Sequence, residues 1–141
     1  MADNTVRPRR RYRLFTTVVN VKVDYIRPRY DNLREWCEGI NNVYIGRRAI
    51  VFIDGVRYPP ENSPWANTFK ITGNTTREQV IAKYRKYILA KLRQGELDIT
   101  DLYGKRLGCW CKLPDEEVPC HGDVLLDILD YYLKYEEYPA K

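Results

Sequence analysis

The sequence predicts a small α/β domain with a central short sheet and two or three flanking helices. Two observations carry this. Short apolar or β-branched runs, such as VYIG at 43–46 and KRLGCWC at 105–111, are interspersed with amphipathic helical segments at 75–93 and 122–135. The length of 141 residues suits one domain with its own core. The expected organisation is an arginine-rich, disordered arm at 1–10, one domain at 11–135 and a frayed tail at 136–141.

Element by element, residues 11–25 (RYRLFTTVVNVKVDY) read as a long strand, because Val, Thr and aromatic residues partly alternate. Residues 32–40 suit a short helix, with Leu33, Trp36 and Cys37 on one face and Gly39 near its end. Ala49–Ile53 and Val56–Tyr58 flank Asp54-Gly55, a dipeptide that tolerates positive φ, and form a hairpin. Residues 58–74 lack periodicity, carry three prolines and end in Gly-Asn. Long irregular loops of this kind are often functional. Thr75-x-x-Glu78 reads as a capping box opening the helix over 75–93, whose apolar face is Val80, Ile81, Tyr84, Tyr87, Ile88 and Leu92. Gly95 stops it. A strand at 105–111, a loop and a helix through Val124, Leu125, Ile128, Leu129 and Tyr132 complete the chain.

Composition bounds the function. The net charge of +5 comes from 24 basic and 19 acidic residues. Arg7, Arg9, Arg10, Arg11 and Arg13 account for all of the excess, since removing these five leaves 19 of each sign. The basicity is therefore an arm, suited to nucleic-acid phosphates without sequence readout, or to solubility alone. No run of 18 apolar residues marks a membrane span, and no secretory leader is visible, so reduced thiols and an intracellular setting, cytoplasm, host cell or virion, are expected. Paired carboxylates, a phosphate loop and a serine elbow are all missing, and the sequence names no reaction type.

The chemical signal is concentrated late in the chain. Three of four cysteines and the sole histidine fall between Cys109 and His121. Cys109, Cys111, Cys120 and His121 have the number and type of ligands for tetrahedral zinc. Against this, Cys109 and Cys111 would flank Trp110 on one strand face about 6.6 Å apart, unlike the convergent Cys-x-x-Cys turn. Alternatively, Cys120 at a helix start favours a thiolate. His121 would then serve as base or anion donor, and Asp123 as its orienter or as a helix cap. Cys120, His121 and Asp123 are the candidate catalytic residues of that reading. The third reading is plain core, which Cys37 exemplifies.

Several motifs occur in order: Val43-Tyr-Ile-Gly-Arg47, Ser63-Pro-Trp-Ala-Asn-Thr-Phe69, Thr76-Arg77 with Tyr84, Gly104-Lys-Arg-Leu-Gly-Cys-Trp-Cys111 and Cys120-His-Gly-Asp-Val-Leu125. In these the chain resembles the family called domain of unknown function 4326, over roughly residues 42 to 130. The resemblance implies relatives in bacteria, bacteriophages and large DNA viruses, and it implies a site rather than a reaction. Carried over by position, the pattern marks Tyr44, Gly46, Arg47, Ser63, Trp65, Asn67, Phe69, Arg77, Gly104, Lys105, Cys109, Trp110, Cys111, Cys120, His121, Gly122 and Asp123. Thr68 stands where the family often has proline. The gap from Cys111 to Cys120 is longer than in the pattern, with Asp115, Glu116 and Glu117 added.

Both readings expect one pocket in which Arg47, Ser63, Trp65, Asn67, Arg77 and Lys105 bind a nucleotide-like, phosphorylated ligand beside the Cys-His segment. Two other functions compete. One is a zinc-stabilised module holding nucleic acid through the arginine arm. The other is a structural or virion-associated protein on an enzyme-like fold.

Overall fold

A computed structural model of the chain describes residues 15–110 and 120–141. The arginine arm and Cys111, with the expectations placed on them, lie outside the described residues. The elements in chain order are β1 (Thr17–Asn20), α1 (Val23–Ile26), α2 (Leu33–Glu38), β2 (Asn42–Tyr44), β3 (Val51–Ile53) and β4 (Val56–Tyr58). There follow α3 (Arg77–Arg93), a 3-10 turn (Ile99–Leu102), β5 (Arg106–Cys109) and α4 (His121–Tyr135).

The sheet order is β1-β5-β2, all parallel, so the strand that comes last in sequence is central. Leu107 sits between Val18 and Val43, and Gly108 between Val19 and Tyr44. Because side chains alternate along a strand, the sheet separates two cores. On one face Val18, Val43, Ile45, Leu107 and Cys109 pack with Tyr84, Ile88 and Leu92 of α3 and Leu125, Ile128 and Leu129 of α4. On the other, Val19, Tyr44 and Trp110 pack with Val21, Ile26, Leu33, Trp36 and Ile53. The chain is thus a small α/β domain, as its alternating apolar segments predict.

Three local expectations need correction. The long strand over 11–25 is cut short: β1 ends at Asn20, whose side-chain oxygen accepts the Lys22 backbone N–H at 2.9 Å. The chain then turns into α1 and buries Val21 and Ile26 in the second core. The capping box of α3 lies one residue later than Thr75-x-x-Glu78. Thr76 accepts the Gln79 N–H at 3.1 Å, and the Gln79 side chain accepts the Thr76 N–H at 2.8 Å. Thr75 is engaged upstream, its hydroxyl accepting the Thr72 N–H at 2.8 Å. The hairpin strand β3 begins at Val51 rather than Ala49, though Asp54 and Gly55 both take the positive φ its two-residue turn requires. Gly95 ends α3 as expected. Its N–H donates to the Leu92 carbonyl and that of Glu96 to the Lys91 carbonyl, the paired bonds of a left-handed helix stop.

Candidate functional site

Parallel strands place their carboxyl ends on one edge, and helices that follow start there. In this fold the ends of β2 and β5 meet the starts of α3 and α4. The cleft between them, of about 690 Å³, is lined by Arg47, Asn67, Phe69, Lys70, Arg77, Trp110, Cys120 and His121, with Gly46, Ile50, Ile71, Val80 and Ile81 around them.

Cys109 is the last residue of β5 and Cys120 the N-cap of α4, and both are buried. Their sulfurs lie 3.3 Å apart. The Cys120 sulfur also accepts the Gly122 N–H at 3.4 Å, while the Cys120 N–H donates to the Asp123 carboxylate at 3.2 Å. Asp123 therefore closes a capping box in which sulfur replaces the usual hydroxyl. The His121 Nε2 stands 2.7 Å from the Ile45 carbonyl oxygen. A carbonyl can only accept, so Nε2 carries the proton. In the neutral ring this leaves Nδ1 as the acceptor, 3.9 Å from the Cys120 sulfur. The ring is also fixed edge-on against Tyr84, with centroids 5.2 Å apart at 82°.

The far wall is held by a relay. Trp110 Nε1–H donates to the Tyr44 hydroxyl at 2.9 Å, which donates to the Arg47 carbonyl at 2.7 Å. Burial raises the Tyr44 hydroxyl to about 12, against the opposing hydrogen bond from Trp110. An acid raised in the folded state keeps its proton while the unfolded chain loses it. Folding stability should therefore fall as pH rises from 10 to about 12, with nothing lost below 10. Tyr44→Phe removes that contribution, so denaturation midpoints of wild type and variant across this window should differ in slope. Parallel slopes would show that Tyr44 titrates alike in both states.

Of the residues expected to bind ligand, Arg47, Asn67 and Arg77 reach the cleft, beside Cys120 and His121. Arg77 is the first residue of α3. The Asn67 side-chain oxygen accepts the Phe69 N–H at 2.9 Å and shapes the loop. Ser63 and Trp65 are placed elsewhere. The Ser63 N–H donates to the Gly46 carbonyl and its hydroxyl accepts the Trp65 N–H, fastening the loop to the end of β2. Trp65 is 6 % exposed in the first core, and its carbonyl accepts the Tyr84 hydroxyl at 2.7 Å. Lys105 precedes β5 at the sheet's amino edge, where its carbonyl accepts the Thr17 N–H. Lys70 lines the cleft without having been singled out in the sequence. Trp110 and Phe69 stood in the motifs but not among the expected ligand-binding residues.

Among the described residues, no group of three or more His, Cys, Asp or Glu is arranged to hold a metal ion. The zinc expectation also needs Cys111, which lies outside the described residues, and a histidine nitrogen; with Nε2 on Ile45, that nitrogen would be Nδ1, on the side of the Cys120 sulfur. Among the same residues no helix is long and apolar enough to cross a membrane.

The family described as Domain of unknown function (DUF4326) matches residues 29–131, a span that begins ahead of the motifs at 42. An uncharacterized protein, R718, of Acanthamoeba polyphaga mimivirus is 36% identical over 101 residues, covering 67% of this chain and 72% of its own length. An uncharacterized 12.4 kDa protein in the nrdA-td intergenic region of Enterobacteria phage T4 is 34% identical over 62 residues, 42% of this chain and 54% of its own length. No solved structure matches the chain.

Proposed function

The chain belongs to the DUF4326 family, and from the residues that line its cleft we propose that it binds a nucleotide-like, phosphorylated ligand at the carboxyl edge of the sheet. One observation carries this reading. The described cleft lining holds three cations, Arg47, Lys70 and Arg77, and no carboxylate, together with the aromatic rings of Phe69 and Trp110. Guanidinium forks match phosphate oxygens in pairs, and an aromatic wall suits a planar base. The start of α4 adds the positive end of the helix dipole, while its Gly122 and Cys120 N–H groups are taken by the cap itself. Asn67 and His121 supply polar edges for orientation.

Isothermal titration with nucleoside mono-, di- and triphosphates, the parent nucleosides and inorganic phosphate tests the proposal. At least one nucleotide should bind, and its nucleoside should bind much more weakly. Arg77→Ala should weaken the nucleotide by about 10- to 100-fold, the loss of a charged hydrogen bond at about 1.5–3 kcal/mol. Circular dichroism should meanwhile report an unchanged fold. Equal affinity for nucleoside and nucleotide, or full affinity in both Arg47→Ala and Arg77→Ala, would overturn it.

A further inference from the structure

We infer that Cys109 and Cys120 form a dithiol site that exchanges with small-molecule disulfides entering through the cleft. The inference is independent of the phosphorylated ligand. It rests on the placement of two sulfurs from separate elements. Cys109 closes the central strand, Cys120 caps the helix that follows, and the sulfurs stand 3.3 Å apart. They need to approach by only about 1.3 Å to reach the covalent separation of about 2.05 Å. Neither is in a disulfide, and the two polarizable sulfurs face each other inside the core.

Access and order of attack follow from the fold. Cys120 is only 1 % exposed but lines the cleft, whereas Cys109 is fully buried and does not line it. The Cys120 sulfur attacks one sulfur of the incoming disulfide RSSR. The Cys120–S–SR bond forms, the RS–SR bond breaks, and one RSH leaves with the Cys120 proton. The Cys109 sulfur then attacks the Cys120 sulfur, and the second RSH leaves with the Cys109 proton. Two thiols are oxidised to one disulfide and RSSR is reduced to two RSH, so electrons and protons balance. The Gly122 N–H, 3.4 Å from the Cys120 sulfur, is a donor that favours negative charge on that sulfur during attack. The product ties the carboxyl end of β5 to the N-cap of α4, beside the cleft.

The test uses the full chain, reduced and then incubated with oxidised glutathione, alkylated and digested with trypsin, which cuts at Lys112 between the two cysteines. Mass spectrometry should find a protein that has lost two hydrogen atoms and a Cys109–Cys120 cross-linked peptide pair. Cys111→Ser and Cys37→Ser should leave that link intact. Cys109→Ser should stop the reaction at a glutathione adduct on Cys120, and Cys109→Ala provides the same arrest if the serine variant folds poorly. Three results would overturn the inference: a link that joins Cys111 to either partner instead, unreacted Cys109 and Cys120 after prolonged incubation, or a tightly bound metal that keeps these thiols from alkylation.

Discussion

Gly108→Val should destabilise the domain by about 3 kcal/mol, the upper end of overpacking costs. Gly108 is in the central strand between Val19 and Tyr44, and a Cβ built there would lie 2.6 Å from the Val21 Cγ1 and closer still to the Trp36 ring. Neither neighbour is the loose end of a flexible chain. Trp36 is 2 % exposed and Val21 fully buried. The backbone has no room to retreat, because β5 is hydrogen-bonded on both sides and the Gly108 carbonyl accepts the Ile45 N–H at 2.9 Å. Gly108→Ala adds one of the three carbons and should cost less. Chemical denaturation would read both, as a lowered midpoint with an unchanged slope. A valine variant within about 0.5 kcal/mol of wild type would mean that α2, which carries Trp36, moves outward at little cost. The same displacement would tilt Trp110 and Tyr44, which share that core, so the cleft wall and the fold would then be coupled through Trp36.

The sequence is informative wherever a residue's type and its position act together. The helical period of 75–93 requires one buried stripe, and Val80, Tyr84, Ile88 and Leu92 are in it, whereas Ile81 is half-buried, Tyr87 of the expected face is exposed and Leu89 is buried instead. The Cys120-His-Gly-Asp run announces a helix start, and sulfur, amide and carboxylate meet there as a cap. Direction is where the sequence falls silent. Trp65 has the chemistry of a stacking platform, but the loop path turns it into the core, where Tyr84 grips its carbonyl. Lys105 adjoins the Cys109 motif in sequence, yet four residues of extended strand carry it about 13 Å away, to the opposite sheet edge. Lys70 is a lone lysine in an aperiodic loop, and only the fold of that loop brings it beside Arg77. The β1 strand illustrates the reverse error. Alternation continues through Val21 and Val23, but a side-chain bond at Asn20 ends the strand, and Val21 turns into a second core.

Tyr84→Ala should be the most damaging truncation on α3, costing about 3–5 kcal/mol as for other large buried aromatics. The ring is fully buried, and its hydroxyl donates to the Trp65 carbonyl at 2.7 Å. Burial drives that hydroxyl well above the ordinary phenol range, so it stays a neutral donor. Truncation would open a cavity and also strand the Trp65 carbonyl without its donor. Tyr84→Phe separates the two contributions, since it keeps the ring and should cost only about 1–2 kcal/mol for the orphaned acceptor. The ring also meets His121 edge-on, so the two variants should differ at the cleft as well. In Tyr84→Phe the imidazole keeps its packing, and its two-dimensional NMR resonances should stay near their wild-type positions. In Tyr84→Ala the ring loses its edge-on contact and keeps the Ile45 carbonyl and the Cys120 sulfur, so those resonances should shift or broaden. Equal losses of stability in both variants would mean that the hydrogen bond, and not the ring, anchors the tryptophan loop. Unchanged His121 signals in Tyr84→Ala would mean that the polar contacts at its two nitrogens, and not the Tyr84 ring, orient the imidazole.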